Sequence, residues 1–279
     1  MIAASALFAC MGVCVKLGAS LFTAAELVFY RGFVALVLLS LYGLARRLTP
    51  ATPHWRAHLR RGLWGFVSLV MYFYAISELP LATAVTLNYT SPLFLAVILV
   101  VWSGERVRRT LFLALGLGLA GVVLLLRPSF ASEHWLGALA GLASGAGAGV
   151  AFYNVRQLGR LGEPEWRVVF YFSLISTLGG LPWVLASNPF HAISGTGILL
   201  ILGVGVFGTL AQLALTRAYK HGKTLVSASL AYSTVIFSSL FGMVIWAEVL
   251  SPLSWLAIGL IVASGLLASA QSRAPAGQD

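Results

Sequence analysis

The sequence has little charge. Of its 279 residues only 9% are Asp, Glu, Lys or Arg, and 59% are hydrophobic, whereas a typical soluble domain has about 25% charged residues. A soluble fold of this length could not bury so much apolar surface, so the composition excludes an ordinary soluble domain. Because backbone polar groups in hydrocarbon must be satisfied within each segment, we predict an all-α integral membrane protein.

Cysteines and acidic residues are also scarce. The two cysteines, Cys10 and Cys14, lie one helical turn apart without a metal or redox motif, and we interpret them as core residues. The eight acidic residues fall at predicted helix ends, in loops or at the C-terminus. A pump that exchanges a proton for a lipophilic cation needs a carboxylate at mid-membrane, so that mechanism is disfavoured.

The five histidines are scattered through predicted loops, and neither an HExxH motif nor a pair of carboxylates is present. We therefore expect no catalytic residue, no metal and no cofactor. A membrane-embedded enzyme that modifies lipids is the weakest of the functions considered.

The sequence does contain apolar stretches of about 20 residues, each long enough to cross roughly 30 Å of hydrocarbon. Charged residues, prolines and glycines separate most of them. The sequence predicts ten transmembrane helices, over residues 2–20, 25–45, 62–78, 82–103, 110–127, 135–156, 168–187, 197–218, 224–246 and 253–271.

An internal repeat organises these helices. Residues 62–126 align without a gap to residues 205–269, so that Gly65 matches Gly208. Because each copy holds an odd number of helices, the second copy must be inverted relative to the first. Inverted repeats are typical of secondary transporters, which bind substrate between the two halves.

We predict two five-helix repeats, residues 1–130 and 131–272, and a polar C-terminal tail, residues 273–279. The connections after the even-numbered helices, with the C-terminus, hold 15 of the 18 Lys and Arg residues, Arg61 among them. The positive-inside rule then places both termini in the cytoplasm.

The same count places Glu105 on the cytoplasmic side and its repeat mate Glu248 outside, as inversion requires. The net charge of +10 thus reflects topology, and we expect no nucleic-acid partner. The expected location is the cell inner (plasma) membrane, with multiple passes.

Two basic residues lie within predicted helices, where a charge is costly and indicates function. Lys16 lies late in helix one and Arg31 about two turns into helix two. Either could bind a substrate carboxylate, Arg31 in a bidentate manner. The alternatives are that Lys16 extends to the outer interface and that Arg31 pairs with Glu26.

Helix four carries Asn88 and Tyr89, followed by Pro92. Because proline lacks an N–H and its ring clashes with the carbonyl of residue i−4, here Asn88, we predict a gating kink next to polar side chains. Such sites at membrane depth are typical of transporters. The alternative is a kink that serves only packing.

Further polar groups lie on helices three, eight and nine. We predict substrate-binding roles for Tyr72, Gln212, Ser229, Tyr232 and Ser233. Tyr232 is the repeat mate of the helix-four tyrosine, and the two could line opposite ends of one central path. Hydroxyl groups on such helices more often form interhelical hydrogen bonds, but an amide at mid-bilayer, as in Gln212, needs a partner.

Helix six has a glycine at every fourth position of one face, which predicts close helix packing. These residues are Gly137, Gly141, Gly145 and Gly149.

The chain resembles the drug/metabolite transporter superfamily, specifically its EamA-type ten-helix exporters. The matching segments are Val15-Lys16-Leu17, Tyr30-Arg31-Gly32-Phe33, Tyr74-Ala75-Ile76, Ser91-Pro92-Leu93-Phe94, Gly104-Glu105, Ala218-Tyr219, Ala228 to Tyr232, Ala247-Glu248 and Gly259 to Gly265. Within the family it looks most like amino-acid exporters of the YddG type.

The resemblance implies that helices one to four and six to nine line a cavity, with helices five and ten behind. It implies that Lys16, Arg31, Asn88, Tyr89 and Tyr232 face or flank that cavity. The second half departs from the pattern, since Val235 replaces the kink proline, and we expect the two gates to move differently.

The main functional hypothesis is a secondary transporter that exports small metabolites, above all aromatic or neutral amino acids, by alternating access. The alternative on the same fold is an exporter of nucleosides, sugars, dyes or drugs. The expected partners are the small-molecule substrate and the lipid bilayer. The sequence leaves the oligomeric state open, and a monomer is the working expectation.

Overall fold

A computed structural model describes residues 1–79, 81–105, 107–127, 135–187, 190–247 and 249–273. In these ranges the chain forms α-helices and no strand. The helices are α1 (Ile2–Gly18), α2 (Ala24–Ala45), α3 (Trp55–Glu78), α4 (Leu81–Asn88), α5 (Ser91–Ser103), α6 (Arg109–Leu126), α7 (Trp135–Arg160), α8 (Glu165–Ser187), α9 (Gly195–His221), α10 (Thr224–Ala231), α11 (Ser233–Trp246) and α12 (Pro252–Arg273).

Eight helical spans in the described ranges are long and apolar enough to cross a membrane, and α1 is a shorter apolar helix. Two of the eight, Thr83–Ser103 and Thr224–Trp246, each contain two helices joined at a break. Large apolar side chains such as Leu199 and Val244 are exposed on the outside of the bundle, as lipid contact requires. The architecture is that of a multi-pass membrane protein.

The prediction for the start of the third helix was wrong. That helix was predicted over residues 62–78, but α3 begins at Trp55. An arginine-rich turn can extend a helix past the hydrocarbon because its long side chains reach water, as the exposed Arg60 does. The next residue, Arg61, is 3% exposed and therefore lies inside the bundle, not in a cytoplasmic loop.

The predicted fourth helix is broken in two. α4 ends at Asn88 and α5 begins at Ser91. Between them the Thr90 hydroxyl donates to the Leu87 carbonyl at 2.6 Å, a local bond that competes with helical hydrogen bonding. Pro92 is among the first residues of α5, where its missing N–H costs nothing.

The predicted ninth helix is broken at the matching position. α10 ends at Ala231 and α11 begins at Ser233, with Tyr232 between them. The Ser233 hydroxyl donates to the Leu230 carbonyl at 2.6 Å, and this donor and acceptor are the repeat mates of those at the first break. The second break therefore forms with Val235 in place of a proline.

The glycine face of α7 packs on the first break, which confirms the predicted close packing. A Cβ atom added at Gly145 would lie 2.7 Å from the Leu87 carbonyl oxygen, and one at Gly141 would lie 2.8 Å from Leu87 Cδ1. Gly149 approaches α5 in the same way, since its Cβ would lie 3.1 Å from the Leu95 nitrogen. Side chains at these positions would push α7 off the broken helix.

A buried carboxylate joins helices at one end of the bundle. Glu163, in the α7–α8 connection, accepts hydrogen bonds from the Thr52 hydroxyl and, at 2.8 Å, from Arg167 Nη1, and it lies 3.2 Å from His58 Nε2. Lys220 of α9 donates to its backbone carbonyl at 3.0 Å. Burial raises the pKa of the Glu163 carboxyl, but these partners outweigh burial and hold the pKa below its ordinary value.

Glu105 lies after α5 and pairs with Arg156 at 2.7 Å and Arg160 at 3.2 Å. Its repeat mate Glu248 and residues 274–279 of the predicted tail lie outside the described residues. The opposite placement of the two glutamates therefore stays a prediction.

Candidate functional site

A small cavity lies where α2, α3, α8 and α9 meet. Its volume is about 20 Å³, little more than one water molecule requires. α2 and α3 belong to the first predicted half and α8 and α9 to the second. The lining residues are Val28, Arg31, Gly32, Ala35, Leu69, Val169, Phe172, Ser173, Ser176, Gly208, Thr209 and Gln212.

Arg31 brings a positive charge to this cavity from the second turn of α2. Gly208 of α9 makes room for it, since a Cβ there would lie 3.3 Å from Arg31 Nε. The pairing with Glu26 that the sequence allows does not form, because Glu26 Oε2 lies 2.9 Å from His191 Nδ1. Among the described residues no acidic side chain forms an ion pair with Arg31.

Gln212 brings an amide to the same cavity from α9 and is 6% exposed. Its neighbours on this face satisfy their hydroxyls locally: Thr209 donates to the Gly205 carbonyl at 2.6 Å and Thr216 to the Gln212 carbonyl at 2.8 Å. The Gln212 amide is therefore the group of this face best able to bind a solute.

Arg61 is a candidate that sequence reasoning missed, because it was counted with the loop charges. Its guanidinium carbon lies 3.9 Å from the centre of the Phe172 ring, and Phe172 lines the cavity. A Cβ at Gly65, four residues later, would lie 2.5 Å from Arg61 Nη1. The available signal was this Arg-x-x-x-Gly spacing, in which the glycine leaves space for a guanidinium on one helix face.

The break tyrosines meet near the centre of the bundle. The rings of Tyr89 and Tyr232 have centroids 6.1 Å apart at 40°, so they do not line opposite ends of a path in this conformation. The Tyr89 hydroxyl lies close to Thr234 of α11. Tyr232 is fully buried, and its hydroxyl has no hydrogen-bond partner among the described residues. Tyr72 lies near Tyr89, three residues beyond the cavity-lining Leu69 on α3.

Lys16 and Asn88 lie away from the cavity lining. Lys16 Nζ lies over the Trp246 ring at 4.0 Å, joining the ends of α1 and α11 by a cation–π contact. Asn88 Nδ2 donates to Ser144 Oγ at 3.0 Å and so fixes the first break to α7.

The two predicted serines also have local partners. Ser229 is buried with its hydroxyl 2.7 Å from that of Ser264, between α10 and α12. Ser233 bonds the Leu230 carbonyl at the second break.

The structure thus brings Arg31 and Gln212 together in one cavity and Tyr72, Tyr89 and Tyr232 together beside it. A guanidinium and an amide facing a small, mostly apolar space can bind and orient a carboxylate. In the described part of the chain, no group of three or more His, Cys, Asp or Glu side chains is placed to hold a metal ion.

Comparison with known proteins identifies the family and the fold. The model of the EamA-like transporter family matches the chain twice, over residues 1–127 and 135–270. A solved crystal structure superposes on the chain with a TM-score of 0.85, covers 96% of each chain and shares 24% sequence identity. At this identity the likeness shows the fold alone.

Relatives are named as transporters of different solutes. The chain is 31% identical over 279 residues to the pseudopaline exporter CntI of Pseudomonas aeruginosa, covering 97% of this chain and 94% of the relative. It is 27% identical to a riboflavin transporter of Vibrio cholerae (87% and 80% covered). It is 24% identical to an S-adenosylmethionine uptake transporter of Rickettsia felis (80% and 75% covered).

Proposed function

Because the chain belongs to the EamA-like transporter family, we propose that this small-molecule transporter exports small metabolites, above all amino acids. The observation that supports the proposal is the cavity lined by Arg31 and Gln212. A carboxylate there would meet a guanidinium that no described acid neutralises. Charge-assisted hydrogen bonds of this kind are stronger than neutral ones, particularly where water is excluded.

The rest of an amino acid would extend along α3. Leu69 lines the cavity, and Tyr72 follows three residues later on the same helix face. Next to it lie the rings of Tyr89 and Tyr232, which suit an aromatic or neutral side chain through edge or offset stacking. Ser229 and Ser233 would act indirectly, by holding the second break in place.

We propose alternating access between the halves 1–130 and 131–272, inverted in the inner membrane with both termini in the cytoplasm. A monomer suffices, since both halves contribute to the cavity. Its small volume means that α2 and α3 must separate from α8 and α9 to admit a solute. The break between α4 and α5, next to Pro92, would form the gating hinge. The transport cycle calls for neither a cofactor nor a catalytic residue.

Proteoliposomes containing the purified protein test the proposal. Labelled phenylalanine or threonine should leave them faster than empty vesicles. Gln212→Leu places in α9 the residue that its repeat mate Leu69 provides in α3, and it should abolish this flux while the protein still inserts and folds. Gln157→Leu, at a half-buried glutamine of α7 away from the cavity lining, is the control. Flux equal to empty vesicles over a broad amino-acid panel would falsify amino-acid export.

A second candidate is a carrier of larger metabolites, and the relatives named for riboflavin and S-adenosylmethionine favour it. One of these relatives is named as an uptake transporter, so the direction of transport by this chain needs its own measurement. A thermal-shift screen of the purified protein against amino acids, nucleosides, sugars and dyes separates the candidates. Stabilisation by nucleosides or dyes, with none by amino acids, would favour the second.

A further inference from the structure

A buried arginine, Arg61, and a partly buried one, Arg31, both lie near one aromatic ring beside the cavity. The guanidinium carbon of Arg61 lies 3.9 Å from the Phe172 ring centre and that of Arg31 lies 5.9 Å from it. Because both distances are measured from the centre of the Phe172 ring, the two guanidinium carbons are at most about 10 Å apart. At that separation like charges inside a protein repel each other. Nothing in the cavity lining is acidic.

The positive charges are not compensated within the described residues. Arg61 is 3% exposed, and its Nε and Nη1 atoms have no hydrogen-bond partner in the part of the chain that the structure describes. Among the described ion pairs, Glu26 contacts His191 and Glu163 contacts Arg167, and none includes Arg61. A buried ionised group without a partner is costly, and the cation–π contact with Phe172 offsets only part of that cost.

The repeat supplies both arginines with space. Gly65 lies against Arg61, and its repeat mate Gly208 lies against Arg31. The arginines themselves come from unmatched positions on α2 and α3. The two halves thus place equivalent glycines, Gly65 and Gly208, beside the cavity. At each glycine the missing side chain leaves space for one guanidinium.

We propose that the transported solute carries two anionic groups, one bound by Arg31 with Gln212 and the other by Arg61. This inference rests on the proposed export of amino acids and small metabolites, and within that class it favours solutes with a second carboxylate, such as acidic amino acids or amino-acid conjugates, over neutral ones. Arg61, Gly65 and Leu69 are spaced four residues apart on one face of α3. The two guanidinium carbons lie at most about 10 Å apart through the Phe172 ring, and this sets the scale of the separation between the two anionic groups.

A binding experiment tests the spacing directly. The purified full-length protein is heated with linear dicarboxylates from malonate to pimelate and with monocarboxylates of the same chain lengths. The dicarboxylates should raise the unfolding temperature more than their matched monocarboxylates, with an optimum at one chain length. Equal shifts for both series at every length would overturn the proposal.

A transport experiment tests Arg61 itself. In proteoliposomes, Arg61→Gln should lower the ratio of glutamate flux to alanine flux by at least about tenfold, which is the loss of about 1.4 kcal/mol of discrimination. Arg60→Gln, at the exposed neighbouring arginine, should keep the ratio of the unaltered protein. Arg61→Lys keeps the positive charge but not the guanidinium geometry, so it should retain part of the ratio of glutamate flux to alanine flux. It also tests the role of Arg61 if Arg61→Gln does not fold.

The outcomes separate the two proposals. Transport of neutral amino acids with an unchanged ratio in Arg61→Gln overturns the second anionic group and leaves amino-acid export intact. A different result would refute amino-acid export and support the two-anion site. In that result no amino acid is transported, and dicarboxylates stabilise the unaltered protein but not Arg61→Gln.

Discussion

The two helix breaks differ in what surrounds them and agree in how they form. The first, at Tyr89, is followed by Pro92 and is packed by the glycine face of α7. The second, at Tyr232, has no proline and lies against Gly118 of α6, where a Cβ would lie 2.7 Å from Tyr232 Cε2. In each, a hydroxyl bonds the carbonyl three residues earlier at 2.6 Å. The shared hydroxyl, not the proline, therefore accounts for the matched breaks.

The breaks also contact each other. The Tyr89 hydroxyl lies close to Thr234 just after the second break, and the ring centroids of Tyr89 and Tyr232 lie 6.1 Å apart. Movement at one break therefore changes the surroundings of the other, which couples the two predicted halves at the centre of the bundle.

The largest effect is expected from Gly145→Ala, which tests whether α7 holds the first break. The added Cβ would lie 2.7 Å from the Leu87 carbonyl oxygen, and a backbone atom cannot easily move aside. We expect a loss of about 1–3 kcal/mol in the free energy of unfolding, measured by denaturant unfolding in detergent. Gly116→Ala, in open space on α6, is the control. Equal stabilities of the two variants would show that the break does not depend on α7.

Opposite signs are expected for the two break tyrosines. Tyr89→Phe removes a hydroxyl that lies close to Thr234, and loss of that polar contact should lower the free energy of unfolding by about 0.5–1.5 kcal/mol. Tyr232→Phe removes a buried hydroxyl that has no partner among the described residues, and it should leave stability unchanged or raise it. Thermal unfolding of both variants in one detergent measures the difference, and a destabilised Tyr232→Phe protein would contradict the unpartnered hydroxyl.

A smaller, asymmetric effect is expected from the hydroxyls. Ser233→Ala removes the hydrogen bond to the Leu230 carbonyl at the break that has no proline, so α10 and α11 should join more readily into one helix. Transport should then slow by about threefold or more, a change in the barrier near 1 kcal/mol. Thr90→Val should have less effect, because Pro92 still prevents a continuous helix. Flux in proteoliposomes measures both, and greater slowing by Thr90→Val would reverse the interpretation.

The smallest effect is expected from Pro92→Ala. Proline in the first turn of a helix gives up no hydrogen bond, and the Thr90 hydroxyl still marks the break. Stability should stay within about 0.5 kcal/mol, and transport should slow by no more than about twofold. A tenfold loss of flux in the same vesicles would return the main gating role to the proline.

The sequence predicted much of this arrangement, because the periodic features of the chain are local. Apolar stretches located the spans that the structure describes, and the repeat register matched Tyr89 with Tyr232. The break itself was attributed to Pro92, since a hydroxyl that bonds a carbonyl three residues away gives a weaker sequence signal than a proline. The second break could not be attributed in that way, because Val235 occupies the matching position.

The site was predicted less completely, for a physical reason. Gln212 and Arg31 stood out because a polar group within an apolar helix is costly. Arg61 follows another arginine next to a basic loop, a pattern that usually indicates solvated charge. Its burial depends on the earlier start of α3 at Trp55 and on Phe172 of α8, and only tertiary structure brings those groups together.

The size of the cavity has a consequence for measurements of affinity. With about 20 Å³ between α2, α3, α8 and α9, this conformation is too tight for an amino acid, so only molecules that have already opened can accept one. The observed dissociation constant is then the intrinsic constant divided by the fraction of open molecules. Titrations of the resting carrier will underestimate how strongly its arginines hold their cargo, and substitutions that loosen the bundle will appear to tighten binding.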